Sequence, residues 1–223
     1  MRIDDYVAEL ERAMTGPARF KRDLVVEARD SLTDAADAME DGGLDRAEAE
    51  RLAVLEFGEV EEIAPGYQAE LQAHAGRRLG VLLFVSVPAI TLCWGFVWHF
   101  FPADQSAWAQ APGWYSVASK VLDYAQLAIG VAGGLAALAL GRGARLLGRA
   151  RLVTRSLGGA ALSMLALTAV LGTALSLGSH GPEGFASYLP GLVVAVATYA
   201  LAGLQLLGAV SCLRVTRPAA RRA

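Results

Sequence analysis

Two patterns of apolar residues divide this chain near residue 75. Up to that point apolar side chains recur every three or four positions, the spacing that places them on one face of a helix. Beyond it, four stretches are apolar almost throughout and long enough to cross a hydrocarbon core, which takes about 20 helical residues. The four predicted spans are residues 79–101, 121–140, 157–177 and 189–213. The sequence therefore predicts an all-α protein, with a small helical bundle over 1–75 and a four-helix transmembrane bundle over 76–223.

The first part predicts a compact run of helices. The first helix ends near Gly16, and the second covers about residues 18–40. Asp45 is placed to cap the third helix, with Glu48 completing a capping box, and Gly58 is placed to end it. The apolar positions expected to face the core in these three helices are Ile3, Tyr6, Val7, Leu10, Met14, Phe20, Leu24, Ala28, Leu32, Ala35, Met39, Ala49, Leu52, Ala53 and Leu55.

A fourth helix leads towards the first predicted span. Its apolar stripe runs from Val60 to Leu71, and Pro65 inside it is expected to kink the helix or to mark its true start. No strong breaker follows before Gly76, so the helix is expected to continue nearly unbroken into the membrane. Such a stiff connection would carry a twist or tilt between the two parts; a plain tether is the alternative.

Charge separates the same two parts. The chain is 54% hydrophobic and 19% charged, and a soluble enzyme filling the whole length is excluded by this composition. Residues 1–75 hold 8 basic and 19 acidic residues, a net charge of −11, whereas residues 76–223 hold 12 basic and 3 acidic residues, a net charge of +9. The overall charge of −2 therefore describes neither part.

The Lys and Arg residues predict the orientation of the spans, because cytoplasmic loops carry an excess of them. Eleven of the 12 basic residues after residue 75 fall on one predicted side: Arg77, Arg78, Arg142, Arg145, Arg149, Arg151, Arg155, Arg214, Arg217, Arg221 and Arg222. No apolar segment precedes residue 79, so we expect no signal peptide. We therefore expect a multi-pass protein of a bacterial plasma membrane with both termini cytoplasmic. The abundance of Arg, Ala, Gly and Leu is typical of a GC-rich genome, such as an actinobacterial one.

Tryptophans cluster at the predicted outer face. All four, Trp94, Trp98, Trp108 and Trp114, lie within 21 residues of one another. Such rings favour the headgroup level of a membrane, so an outer-leaflet anchor is one interpretation. An extracytoplasmic site for an apolar or cationic ligand is the other.

The predicted bundle over 1–75 has a strongly acidic surface. Candidate docking residues for a protein partner are Glu59, Glu61, Glu62, Asp34, Asp37 and Glu40. Direct nucleic-acid binding is not expected, because affinity for phosphates depends on Lys and Arg. A basic protein would be complementary to this surface, and a merely solvated face is the alternative.

No catalytic or metal-binding motif is present. The chain has no CxxC, HExxH, GxSxG or Gly-rich phosphate loop, and its histidines and two cysteines are dispersed, so we expect no enzyme, no metal and no cofactor. The polar candidates in the membrane part are Asp123, Gln126 and Gln205. We expect Asp123 in the first turn of its helix, paired with Lys120, and the two glutamines in hydrogen bonds between helices.

Residues 3–71 resemble the HAAS signalling domain, also called permease prefix domain 1. The resemblance rests on a Tyr-x-x-Glu-Leu helix from Tyr6 to Leu10, an acidic helix, a Gly-Gly-Leu turn, and the run from Ala53 to Ala64 around Phe57-Gly58. It implies a small all-α bundle joined to membrane helices and a regulatory role, often beside PadR-like transcription regulators. Some family members precede permeases. The family offers no catalytic residues.

These observations favour a non-enzymatic membrane protein that signals through its helical bundle. The expected partner is a cytoplasmic regulator of the PadR-like kind. A homo-oligomer is expected if the small-residue motifs of the spans pack against the spans of a second copy of this chain. An accessory subunit of an ABC-type or lipid-handling permease is the first alternative. A small lipid-modifying membrane enzyme is the second.

Overall fold

The computed structural model describes residues 1–101, 112–141, 147–178 and 189–217, and these ranges form an all-α fold, which confirms the predicted class. The helices are α1 Ile3–Ala13, α2 Ala18–Asp41, α3 Arg46–Phe57, α4 Val60–Phe100, α5 Tyr115–Gly141, α6 Leu147–Gly178 and α7 Leu189–Val215. Within these ranges the chain contains no strand.

Residues 1–75, here called the N-terminal module, form α1–α3 and the first part of α4. All five apolar positions predicted to face inward from the first helix are buried, and the Tyr6 ring meets the edge of Phe57 at a centroid distance of 5.8 Å. The apolar stripe predicted for the third helix is wrong at its end: Leu55 is 66% exposed and Val54 is buried instead. The inward face of α3 is formed by Ala49, Ala53 and Val54, and Leu55, the residue after Val54, points away from it.

The caps of α3 agree only in part with the capping-box prediction. The Asp45 carboxylate accepts a hydrogen bond from the Ala47 amide at 3.1 Å, so it does cap the helix. Glu48 does not complete the box, because its carboxylate accepts two hydrogen bonds from Arg51 at 2.7 and 2.9 Å. At the other end Gly58 has a φ of +107°, a conformation that favours glycine.

Helix α4 is shared by the N-terminal module and the apolar part of the chain. It runs unbroken for 41 residues, about 60 Å, with both Pro65 and Pro88 inside it. Pro65 therefore lies in the second turn and neither starts nor ends the helix. The continuation from the stretch after Pro65 into the first predicted span agrees with the sequence, which has no strong breaker there before Gly76.

Helices α4–α7 are each long and apolar enough to cross a membrane. α4 packs against α5, α6 and α7. It approaches α5 closely at Gly80, where an added Cβ would lie 2.5 Å from the carbonyl oxygen of Gly133. In α6 a Cβ added at Gly158 would lie 3.1 Å from the Cys212 side chain of α7, whereas one added at Gly159 would have no neighbour within 4 Å among the described residues.

Candidate functional site

Three segments that are distant in sequence meet at the end of the helix bundle where the N-terminal module packs. They are the turn between α1 and α2, the first half of α4, and the end of α7. Val215, the last residue of α7, is fully buried, and a Cβ added at Gly16 would lie 3.2 Å from its side chain. The polar contacts described next hold these segments together, and we call them the junction.

Gln68 is the central residue of the junction. Its side-chain oxygen accepts a hydrogen bond from the Thr15 amide at 2.8 Å, and its Nε2 donates to the Thr15 carbonyl at 2.9 Å. The same Nε2 donates to the Val215 carbonyl at 2.9 Å. That carbonyl is one of the last four of α7, which have no partner within the helix. One side chain of α4 thus joins the α1–α2 turn to the end of α7.

A second layer of the junction lies one turn further along α4. The buried hydroxyl of Thr154 in α6 donates to the Gln72 carbonyl at 2.8 Å. Gln72 Nε2 reaches the Val215 carbonyl at 3.4 Å, and Arg151 donates to the carbonyl of Thr216 at 3.2 Å. These bonds tie α4, α6 and the end of α7 to one another.

Gly76 allows this layer to form. A Cβ added there would collide with the Thr154 hydroxyl and would lie 2.6 Å from the Leu140 side chain. A buried polar group that loses its hydrogen-bond partner costs free energy, because it is no longer solvated by water. The network therefore favours the arrangement in which all of these bonds are formed. The junction is therefore suited to hold the module in one position relative to the spans.

The acidic docking candidates divide into two groups. Asp37 and Glu40 of α2 both accept hydrogen bonds from Arg46, the latter at 3.0 Å, and these bonds raise the pKa of Arg46 above its ordinary value. Those two carboxylates are thus engaged within the module, whereas Asp34 is exposed and forms no ion pair among the described residues.

The second group lies at the start of α4. Glu59 is the N-cap residue, without a side-chain capping bond, and Glu61 and Glu62 occupy the first turn. All three are exposed. Carboxylates are stabilised at this end of a helix by its dipole, and here they also leave three negative charges on the surface.

The two glutamines of the membrane part line one small cavity of about 60 Å³ together with Thr168 and Thr198. Gln205 of α7 also donates to the hydroxyl of Ser86 in α4 at 2.7 Å, and both residues are buried. The hydrogen bond between helices expected for Gln205 is thus present, whereas Gln126 of α5 lines the cavity without a side-chain hydrogen bond to the described residues. The arrangement joins α4 to α7 through a polar pair within an apolar interior.

Asp123 is placed differently from the expectation. Helix α5 begins at Tyr115, so Asp123 lies more than two turns from the helix start and not in its first turn. The helix starts early because a turn at residues 112–114 precedes it, before the apolar run begins. Asp123 is exposed, and within the described ranges it forms no ion pair with Lys120.

The remaining titratable and aromatic groups of the described residues include two pairs of stacked rings. Among the described residues no cluster of three or more His, Cys, Asp or Glu could hold a metal ion. His74 stacks on Phe20 at a centroid distance of 3.8 Å, and Trp94 stacks on Trp98 at 5.8 Å. The pKa of His74, which precedes the apolar part of α4, is lowered by burial and by Arg78 and Arg77. Trp108, His180, Arg142, Arg145, Arg221 and Arg222 lie outside the described residues.

A comparison with protein-family models, curated proteins and solved structures finds no match to this chain. The resemblance of residues 3–71 to the HAAS domain therefore stays a prediction.

Sequence reasoning did not identify Gln68, Gln72 or Thr154. A signal for the first two exists: they are polar residues four apart on the same face of a helix as the buried Ala64, Leu71 and Ala75. Polar residues on an inward stripe indicate hydrogen-bond partners across the fold. The partners themselves could not be named, since Val215 lies 147 residues from Gln68.

Proposed function

We propose that this chain is a membrane-embedded regulatory protein whose N-terminal module binds a cytoplasmic protein and is positioned by the state of the membrane spans. The observation that carries the proposal is the junction: α4 belongs to both the module and the first span, and Gln68 fastens it to the end of α7. A module attached by a plain tether would not need these bonds.

The proposed topology places the module in the cytoplasm of a bacterial cell. The guanidinium of Arg77 lies beside Gly141, and Arg151 bonds the carbonyl of Thr216, so basic residues of two connections lie at the same end of the bundle as the end of α7. This grouping supports an orientation with both termini cytoplasmic, since Lys and Arg mark the cytoplasmic side.

The coupling follows from the stiffness of α4. A rotation or tilt of this helix at residue 79 is carried to Val60, because no break intervenes. The junction resists that movement until its bonds to Thr15 and Val215 open. A change in the packing of α4–α7 therefore changes the position of the module, and with it the surface that the module presents.

The proposed docking surface is the start of α4, formed by Glu59, Glu61 and Glu62. This surface is the first turn of the helix that carries the coupling, and its negative charge is complementary to a basic protein. The family resemblance favours a PadR-like transcription regulator as that protein.

The test is a capture experiment from native membranes with the intact chain and with the variant Glu59→Gln, Glu61→Gln, Glu62→Gln. We expect the intact chain to retain a DNA-binding regulator and the variant to lose it, because three charges are removed without a change of side-chain size.

A matched control removes three exposed carboxylates elsewhere on α2, as Glu27→Gln, Asp30→Asn and Asp41→Asn. This control is expected to capture the regulator as the intact chain does. Capture of a permease or an ATPase by all three chains, with no regulator, would contradict the proposal and favour the accessory-subunit alternative. A regulator lost equally from both variants would show that the start of α4 has no special role.

A further inference from the structure

A groove of about 860 Å³ lies between the start of α2, the middle of α4 and the second half of α7. This volume is within the roughly 300–1,000 Å³ of typical ligand sites. The junction residues Gln68, Gln72 and Thr154 do not line it. It combines a polar mouth beside the N-terminal module with an apolar floor along the membrane part.

The mouth of the groove is basic. Arg19 of α2 and Arg78 of α4 both line it, and neither forms an ion pair with a carboxylate of the described residues. Asp23 is the acidic residue in the lining, and His74, held against Phe20 by ring stacking, forms part of the wall. Two guanidinium groups against one carboxylate leave the mouth with a net positive charge, which suits a phosphate group.

The floor of the groove is apolar and open to the side. Leu82 and Val85 of α4 lie there with Leu204 and Leu207 of α7, and Leu207 is 68% exposed. From Arg78 to Val85 the groove follows α4 for seven residues, about 10 Å along the helix axis. These floor residues belong to helices that are long and apolar enough to cross a membrane, so the floor faces hydrocarbon while the mouth lies where the apolar run begins.

We propose that this groove binds one anionic phospholipid, with the phosphate between Arg19 and Arg78 and an acyl chain along Leu82, Val85, Leu204 and Leu207. The apolar floor favours a lipid over a free phosphate. Because Arg19 belongs to the module and Arg78 to the helix that enters the membrane, a bound lipid bridges the two. The proposal does not depend on the identity of any protein partner.

A second groove supplies the matched control. It lies between α4 and α5, has a volume of about 350 Å³, and is lined by Arg77 together with apolar residues of these two helices, of which Val81 also lines the first groove. It has one basic residue and no contribution from the module. Arg77 and Arg78 are neighbours in sequence, so Arg77→Gln removes the same charge at nearly the same depth without touching the proposed site.

The test is a native mass-spectrometry titration of the intact chain, in a neutral detergent, with phosphatidylglycerol and with phosphatidylcholine of the same acyl chains. We expect one tight phosphatidylglycerol site, weakened about tenfold or more by the double variant Arg19→Gln, Arg78→Gln, since both guanidinium groups that would hydrogen-bond the phosphate are lost. Arg77→Gln is expected to stay within twofold of the unaltered chain.

Two further arms separate the lipid from other occupants. Leu207→Trp narrows the floor without changing charge, and it is expected to weaken phospholipid binding even if the double variant fails to fold. Glycerol phosphate, which carries the anionic group without acyl chains, is expected not to compete. The proposal would be overturned if phosphatidylcholine bound as tightly as phosphatidylglycerol, or if Arg77→Gln lost as much affinity as the double variant. Full competition by glycerol phosphate would overturn it as well.

Discussion

Replacing Gln68 by Glu tests whether the junction holds the module against the spans. The substitution keeps the side-chain shape and the acceptor for the Thr15 amide. It removes both Nε2 donors and places a carboxylate oxygen against the carbonyls of Thr15 and Val215, which those donors bond at 2.9 Å.

The expected magnitude follows from these bonds. A net hydrogen bond contributes about 0.5–1.5 kcal/mol, so losing two costs roughly 1–3 kcal/mol before the repulsion between carboxylate and carbonyl oxygens is added. A loss of about 2 kcal/mol raises the population of the open junction about 30-fold, because 1.4 kcal/mol corresponds to a factor of ten.

Hydrogen–deuterium exchange of the intact protein in a neutral detergent measures this population. The Thr15 amide is itself a donor in the junction, so peptides containing it are expected to exchange about 30-fold faster in Gln68→Glu. Glu70→Gln is the matched control: it makes the reverse chemical change two residues away, at an exposed position. If both variants exchange within twofold of the unaltered protein, the junction does not hold the module and the coupling argument fails.

Three further predictions concern stability, measured by thermal unfolding in detergent. Gly80→Ala is expected to cost about 1–3 kcal/mol, because its Cβ would meet a backbone carbonyl oxygen at 2.5 Å. Gly203→Ala, whose Cβ would have no neighbour within 4 Å, is expected to be neutral or stabilising. Equal midpoints of thermal unfolding for the two variants would contradict this packing. Thr154→Val is expected to cost about 0.5–1.5 kcal/mol, the net contribution of the hydrogen bond that it removes, and Thr154→Ser is expected to recover most of it. The Tyr6 hydroxyl is buried without a hydrogen-bond partner, so Tyr6→Phe is expected to leave stability unchanged or raise it at neutral pH. Burial, then Tyr67 and nearby carboxylates, raise the pKa of Tyr6 above 10.0. Because the unfolded chain then loses this proton at a lower pH than the folded chain, the native protein loses stability above about pH 10. Tyr6→Phe is expected to retain part of that stability.

The helices themselves are predictable from the sequence because their signals are local. The apolar stripe of the first helix and the stop at Gly58 both depend on residues within a turn or two of each other. Pro65 gave a false signal for the start of α4, because a proline near a helix start is compatible with a helix that begins before it. The early start of α5 was missed because hydropathy locates the apolar run, whereas the helix begins at a turn outside it.

Contacts between helices are less predictable, because many spacings fit the same pattern. The approach of Gly80 to Gly133 depends on how α4 and α5 cross, and nothing near either residue distinguishes it from other glycines of the spans. The same holds for the hydrogen bond from Gln205 to Ser86, whose residues are 119 positions apart. The polarity of Gln205 within an apolar run indicates a partner but does not identify it.

The bond from Gln68 to Val215 has a consequence for biosynthesis. The α1–α2 turn and Gln68 leave the ribosome early, but the carbonyl that completes their contact belongs to a residue made 147 positions later. The module can fold while α5, α6 and α7 are still being synthesised, yet it cannot reach its final seat until the last of these helices has been inserted. Its docking thus marks the completion of the transmembrane bundle, and a chain stopped before α7 would display the module unfastened.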